Sequence, residues 1–299
     1  FKERKDIPTW NPEVKTYEIL DENGKLLSIW YGDYFPRPGK RAGAWNTTTR
    51  SQHFANGQDV RPHVLNVCNF TRPTETMPSL LTFREVETLF HEFGHALHSM
   101  LSHAKYETVS GTSVAWDFVE LPSQFMENFC QEPEVLKMFA KHYQTGAVIP
   151  QEYIEKIRAS SNFLAGIGTA RQINLGLTDL AWHGQAPTGK SVAEVEAEVA
   201  QQTEVYPLVP GTAVSPAFAH IFAGGYSAGY YSYMWSEVLD ADAFDAFKEK
   251  GIFNPAVAKS FRENILSKGG SEKADVLYRR FRGRDPRPEA MLRRAGLIQ

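Results

Sequence analysis

The run Leu89-Phe90-His91-Glu92-Phe93-Gly94-His95-Ala96-Leu97-His98 sets two histidines four residues apart in an apolar stretch of helical periodicity. At about 3.6 residues per turn, His91 and His95 stack on one face, so both imidazoles can reach a single metal ion. Glu92 lies beside them, placed to touch a water on that ion rather than the ion itself. The beginning of the helix is also legible. Thr82-Phe83-Arg84-Glu85 has the spacing of a capping box, and Leu81 with Val86 has that of a hydrophobic staple. Chance produces the H-E-x-x-H pattern in a chain of this length and histidine content about once or twice in a hundred. A well-capped apolar helix that carries it therefore implies a zinc hydrolase site, and the rest of the chain must fold to complete that site.

Zinc requires a third protein ligand, with a fourth position left for water. The residues downstream leave the choice open among Glu107, Asp117, Glu120 and Glu127, with His98 on the same helix and His103 beyond it. Spacing excludes two layouts. A continuation H-x-x-G-x-x-H needs histidine where Leu101 stands. A glutamate separated from the second histidine by about 18 or 19 residues would fall at Val114 or Ala115.

Composition limits the function classes. The chain has 299 residues, a net charge of −3 and a pI near 6.3, so it lacks the basic excess that nucleic acid or an anionic membrane would select. With 42% hydrophobic and 22% charged residues it reads as a globular protein. No apolar run reaches about 18 residues, so no membrane span is expected. No signal peptide is visible, and a start at Phe1 instead of methionine points to a processed or trimmed chain. A cytoplasmic location is the expectation, with the periplasm as the other option. Cys68 and Cys130 lack CxxC spacing and are read as buried free thiols. The basic run Arg279-Arg280-Phe281-Arg282-Gly283-Arg284 is read as a solvated helix end paired with local acids.

Residues 1 to about 14 read as a proline-broken linker. Tyr17-Glu18-Ile19-Leu20 and Leu26-Leu27-Ser28-Ile29-Trp30-Tyr31 flank Asp21-Glu22-Asn23-Gly24-Lys25, which signals a hairpin, and a third strand is expected over 64–70. Gly43 to Pro62 reads as a loop or edge segment over the site. Helices are expected around 118–130, 133–144, 151–182, 191–204, 226–250, 255–267 and 271–282, the last few aided by caps at Ser191 and Asn254. The fold class is α+β and mainly α-helical, with a small sheet near the zinc helix.

A second constellation lies far downstream, in His220-Ile221-Phe222-Ala223-Gly224-Gly225-Tyr226-Ser227-Ala228-Gly229-Tyr230-Tyr231-Ser232-Tyr233. Gly224 and Gly225 permit a close backbone approach. If this run is helical, Tyr226, Tyr230 and Tyr233 share a face, whereas Tyr231 falls off it and is read as packing. On spacing alone, core packing is the favoured reading of that stripe, and the zinc motif is what shifts it towards a role at the site.

This run and Gly111-Thr112-Ser113-Val114-Ala115-Trp116-Asp117-Phe118-Val119-Glu120-Leu121-Pro122-Ser123-Gln124 closely resemble the thimet oligopeptidase family of zinc metallopeptidases. Gly39-Lys40-Arg41-Ala42-Gly43-Ala44-Trp45 and Asn264-Ile265-Leu266-Ser267-Lys268-Gly269-Gly270-Ser271 extend the likeness over nearly the whole chain. The resemblance implies a zincin-like catalytic domain spanning 1–299, with one Zn²⁺ per chain held by His91, His95 and Glu120. It further implies Glu92 as general base, Tyr226, Tyr230 and His220 as donors to the developing oxyanion, and Tyr233, Gly224 and Gly225 as substrate contacts. Gln124, Glu127 and Asp117 are candidates for orienting the imidazoles. The implied substrates are short unfolded peptides, laid along a strand edge near Gly43 and Ala44. Arg37, Arg41 and Arg171 are candidates for gripping a substrate carboxylate, against the plainer reading of surface ion pairs. Internal cleavage and removal of carboxy-terminal dipeptides both fit. Family members are longer, so the implied partner is a missing amino-terminal lobe. The alternative function is a zinc-bearing scaffold or binding domain, inactive without that lobe.

Overall fold

The computed structural model describes residues 1–298. Its strands are β1 (Lys2–Glu3), β2 (Lys15–Leu20), β3 (Leu26–Asp33), β4 (Trp45–Arg50), β5 (His53–Ala55), β6 (Gln58–Val60) and β7 (His63–Val67). The helices are α1 (Phe83–Met100), α2 (Trp116–Val119), α3 (Leu121–Glu127), α4 (Pro133–Phe139), α5 (Gln151–Ser160), α6 (Ala165–His183), α7 (Val192–Thr203), α8 (Ala219–Phe222), α9 (Ser232–Lys250), α10 (Pro255–Phe261), α11 (Ala274–Arg282) and α12 (Glu289–Arg294). The α+β, mainly helical expectation holds. Among the described residues no helix is long and apolar enough to cross a membrane.

Five strands form a sheet in the order β1-β2-β3-β7-β4. The expected hairpin is β2–β3, and β7 joins β3 in parallel. β4 is antiparallel to β7 and ends the sheet, so its outer edge is unpaired within it. Of the two readings of the segment 43–62, the edge one holds: it supplies this edge strand and, in addition, the small β5–β6 hairpin. The first residues are not a free linker either. β1 pairs with β2, and the Trp10 indole donates to Asp33 Oδ2 at 2.9 Å.

One sheet face packs Ile19, Trp30 and Val64 against Ala96 and Met100 of α1. The other side of α1 meets α3. At Gly94 the two backbones approach so closely that a methyl group would come within 2.5 Å of the Ser123 Cα. Glycine is thus needed inside a helix, where it ordinarily costs stability, because it draws the start of α3 onto the histidine face. Gly94→Ala is expected to lower unfolding free energy by about 1–3 kcal/mol through overpacking. An unchanged denaturant midpoint would show that the crossing tolerates a side chain. Behind α3, Phe125 stacks on Phe261 at 4.2 Å between centroids, in a helical core that includes Phe244, Phe247, Leu277 and Tyr278.

Local capping explains the helix ends. Thr82 and Glu85 form the expected capping box, as do Ser191 and Glu194, and the Asn254 side chain accepts from Ala256 and Val257. Four helices differ from expectation. The span 133–144 ends at Phe139, ahead of an isolated bridge between Lys141 and Val148. The span 118–130 breaks at Glu120 into α2 and α3. The span 151–182 is interrupted after Ser160: the Ser160 and Ser161 hydroxyls donate back to Ile157 and Arg158 carbonyls, and Leu164 is left-handed at φ 54°. The span 226–250 becomes helical only at Ser232. The closing helix α12 was not expected. Cys68 and Cys130 are free and buried, and the basic run pairs with Asp275, Asp285, Glu272, Glu249 and Asp242.

The approach to β4 is anchored by a buried ion cluster. Arg37 makes a bidentate pair with Asp33 at 2.7 and 2.8 Å, so it is not a free grip for substrate. Lys40 reaches Asp33 Oδ1 at 2.9 Å and the carbonyls of Phe35 and Cys68. Burial raises the Asp33 carboxyl, but the Arg37, Lys40 and Trp10 donors outweigh it and hold it at about 2. A carboxyl lowered on folding stabilises above its unfolded value and loses that contribution as pH falls through its folded value. From a 3.8 reference, Asp33 should therefore contribute about 2 kcal/mol that disappears between roughly pH 4 and pH 2. Asp33→Asn should flatten the stability curve in that window, as read by denaturant unfolding at several pH values. An unaltered slope would remove Asp33 from the account.

Candidate metal centre and catalytic cleft

α1 presents His91 and His95 on one face, with ring centroids 5.0 Å apart. Glu120 sits at the junction of α2 and α3, with φ −87° and ψ −6°. Its Oε2 lies 3.3 Å from His91 Nε2 and 3.1 Å from His95 Nε2. One potential ligand atom from each residue falls within 4.8 Å of the others. Glu120 does not cap its own helix: the N-cap of α2 is Ala115, without a side-chain hydrogen bond. Its carboxylate turns to the imidazoles instead, and it accepts the Ser123 hydroxyl at 2.7 Å and the Tyr226 hydroxyl.

The electrostatics of this group suit a cation. Burial opposes charge on His91, yet its hydrogen bonds to Glu120 and Glu127 push it well above the ordinary imidazole value. Burial likewise opposes charge on Glu120, yet His95 and His91 hold it well below the carboxylate range. Two imidazole nitrogens converge on one oxygen of a carboxylate whose side chain is 1% exposed, an arrangement that a cation held between them would satisfy. Two histidines and a carboxylate are also the donor set of a catalytic zinc site. The residues present therefore fit a zinc ion.

Glu92 is 5% exposed, and its Oε2 has no protein hydrogen-bond donor. Burial pushes its carboxyl up, against the influence of His91 and His95. Of the three candidates for orienting an imidazole, only Glu127 does so, with Oε1 2.5 Å from His91 Nδ1. Gln124 donates instead to the Tyr233 carbonyl at 3.2 Å, and Asp117 accepts the Tyr231 hydroxyl at 3.2 Å. Tyr231 is thus exposed and hydrogen-bonded rather than packed. His98 and His103 stay outside the cluster: His98 is fully buried, and His103 faces Asp59.

These groups line a cleft of about 1440 Å³ bounded by α1, the β4 edge from Ala42 to Thr47, and the segment carrying His220, Tyr226, Tyr230 and Tyr233. The tyrosines do meet, though not along one helix. Tyr226 and Tyr230 belong to a turn ahead of α9, and Tyr233 is in its first turn. Tyr226 and Tyr233 stack with centroids 5.4 Å apart, and His220 of α8 lies 5.8 Å from Tyr230. Gly224 also lines the cleft, whereas the space at Gly225 is taken by a ring: a Cβ there would lie 2.9 Å from Trp116. Gly225 has φ +87°, which a side chain rarely adopts. Trp116 in turn covers Tyr226 at 4.5 Å between centroids, a contact that no spacing in the sequence signals. Equally unforeseen is Arg294 of α12, which pairs with buried Asp240 at 2.6 Å and with Asn128 at 2.7 Å behind Glu127. Burial pushes Asp240 up to about 6 in spite of that pairing.

A model of peptidase family M3 matches residues 1–297. The chain belongs to peptidase family M3. Its similarity to curated members is high: it is 47% identical over 300 residues to oligopeptidase A of Escherichia coli (strain K12) and 41% identical over 301 residues to dipeptidyl carboxypeptidase of the same organism. Each alignment covers 99% of this chain but 44% of the relative, so the chain spans less than half the length of these M3 proteins. Among solved structures, a carboxypeptidase of Pyrococcus furiosus matches with a TM-score of 0.54 at 16% identity, covering 89% of this chain and 53% of that one. Trypanosoma cruzi metallocarboxypeptidase 1 gives 0.51 at 14% identity over 78% of this chain and 53% of that one. At such identities the likeness speaks for a shared fold alone. M3 membership bears out the resemblance carried by the 111–124 and 220–233 runs.

Proposed function

We propose that residues 1–299 form the catalytic domain of a zinc-dependent peptidase that hydrolyses short oligopeptides. The observation that carries this reading is the convergence of His91, His95 and Glu120 on the wall of an open cleft. Those three residues would hold the ion. When bound, zinc supplies Lewis acidity towards the scissile carbonyl and lowers the pKa of its water towards ~7. Glu92 accepts the proton released as water attacks and delivers it to the leaving amine. Its burial and upward shift make it a stronger base than an exposed carboxylate. Tyr226, Tyr230 and His220 donate to the carbonyl oxygen as it gains negative charge, and losing one such donor costs about 10²–10³ in rate.

Tyr233 and Gly224 border the substrate backbone on that side, while Gly225 seats the Trp116 ring and not the substrate. On the opposite side the unpaired edge of β4 can take an extended peptide as a further strand, its amides supplying backbone hydrogen bonds. The cleft exceeds the roughly 300–1,000 Å³ of small-molecule sites and has room for several extended residues. Glu127 fixes the His91 ring, so Glu127→Ala should weaken zinc affinity by about 10–100-fold, measured by chelator competition. An unchanged affinity would make that contact incidental.

The relatives' greater length and the exposed Phe163, Leu164, Val205, Tyr206 and Val209 support an amino-terminal lobe as the partner of this domain. Two free thiols fit a reducing, cytoplasmic setting. Digestion of a defined peptide library by the zinc-loaded protein, with mass-spectrometric mapping of products, tests the reading. Internal cuts or carboxy-terminal dipeptides support it and tell the two modes apart. Zinc bound with no cuts would favour the scaffold alternative.

A further inference from the structure

Asp179 lies on α6, outside the metal centre, and is 1% exposed. Its Oδ1 accepts the Ala228 backbone N–H at 2.9 Å and lies 2.8 Å from His183 Nδ1, while its Oδ2 accepts the Tyr230 N–H at 2.9 Å. A carboxylate this deeply buried persists only when such donors meet it. What it holds is an improbable piece of backbone. Ala228 has φ 54°, left-handed without being glycine, in the short turn that carries Tyr226 and Tyr230. The first half of this turn is tied to α8 by Tyr226 N–H to His220 O at 3.0 Å and by the Ser227 hydroxyl to Ile221 O at 2.5 Å. Its second half is tied to α6 by Asp179. The same helix end supports α8, with the His183 ring 5.3 Å from Phe222.

We propose that Asp179 is a positioning residue for the peptidase reaction: it clamps the Ala228 and Tyr230 amides and so aims the Tyr226 and Tyr230 hydroxyls into the cleft, with His183 holding the carboxylate in place. The proposal rests on the peptidase reading of the tyrosine wall. A carboxylate is required because two backbone donors need two acceptor oxygens. Asparagine offers one oxygen and turns an amide N–H₂ towards the other donor.

The test is Asp179→Asn in the zinc-loaded protein, read by hydrogen exchange as well as kinetics. Exchange should rise at least about tenfold at whichever of the Ala228 and Tyr230 amides loses its acceptor oxygen. Zinc stoichiometry should stay unchanged, because Asp179 touches none of the three presumed ligands. Peptide turnover should fall about 10–10²-fold in kcat with KM within about twofold, as expected for misplaced oxyanion donors. In a Tyr230→Phe background the same change should cost less than in wild type, which a general loss of packing would not produce. If Asp179→Asn does not fold, His183→Leu removes one donor and leaves both amide bonds, and should give a smaller effect of the same kind. His183→Asn, which restores an N–H donor, should recover most of it. Unchanged exchange in the turn, or looser exchange with unchanged kcat, would overturn the proposal. A wild-type protein that binds zinc and cuts no peptide would overturn the peptidase reading instead, and the exchange result would still decide whether the clamp exists.

Discussion

Glutamine in place of Glu92 is expected to lower kcat by about 10²–10⁴-fold while zinc binding is retained. The substitution preserves size, and Glu92 stands beside the ligand atoms rather than among them. Its Oε2 has no protein donor to lose, so the folded structure should be little disturbed. What disappears is the capacity to take a proton, because an amide has no basic oxygen near neutral pH. KM should change far less than kcat, since the lost interaction is made in the transition state. Steady-state kinetics with one peptide, together with metal analysis, reads both quantities. Turnover within a few-fold of wild type would remove Glu92 from the role of base and return the search to His220 and the tyrosines.

Glu120→Ala should act on the other term and weaken zinc affinity more than 100-fold, beyond the ~10–100-fold typical of residues that only orient ligands. The reason is geometric. Among the described residues Glu120 is the single acid whose oxygen lies against both imidazoles, and the same carboxylate receives the Ser123 and Tyr226 hydroxyls. Alanine would take this acceptor from the Tyr226 hydroxyl, while Ser123 keeps the Glu120 carbonyl, so a modest stability loss should accompany the loss of metal. Retention of zinc at wild-type affinity would move the third ligand to Glu127, the other acid in contact with His91. The contrast with Glu127→Ala therefore ranks the two glutamates.

Much of this site is legible in the chain because its signals are local. The capping boxes at Thr82 and Ser191 and the asparagine cap before Pro255 involve residues within one turn, and each appears in the fold. His91 and His95 share a face for the same reason. Glu120 is different: periodicity leaves it among several acids, and it was the likeness of its flanking run to a family that selected it. The physical cause of its placement is the crossing at Gly94, visible in sequence only as a small residue inside a helix. The tyrosine stripe teaches a related lesson. Spacing suggests a continuous helix from 226, yet a buried carboxylate about fifty positions upstream holds a left-handed turn there. No local pattern marks Asp179 as its partner, because the contact exists only after α6 has packed. Arg294 and Trp116 share that character, being supplied to the cleft by tertiary packing alone. Three residues of strand 64–70 fall outside β7 for the opposite reason: Cys68 and Phe70 still donate to Asp33 and Tyr34, so the chain continues along its neighbour beyond the regular ladder.

The most direct test of the zinc-peptidase account is a metal titration of the chelator-treated protein, with hydrolysis of a short peptide as the readout. Activity should be abolished by chelation and should return in proportion to added Zn²⁺, saturating at one ion per chain. Peptide hydrolysis that survives complete removal of metal would contradict the account, as would a fully loaded centre that leaves every peptide intact.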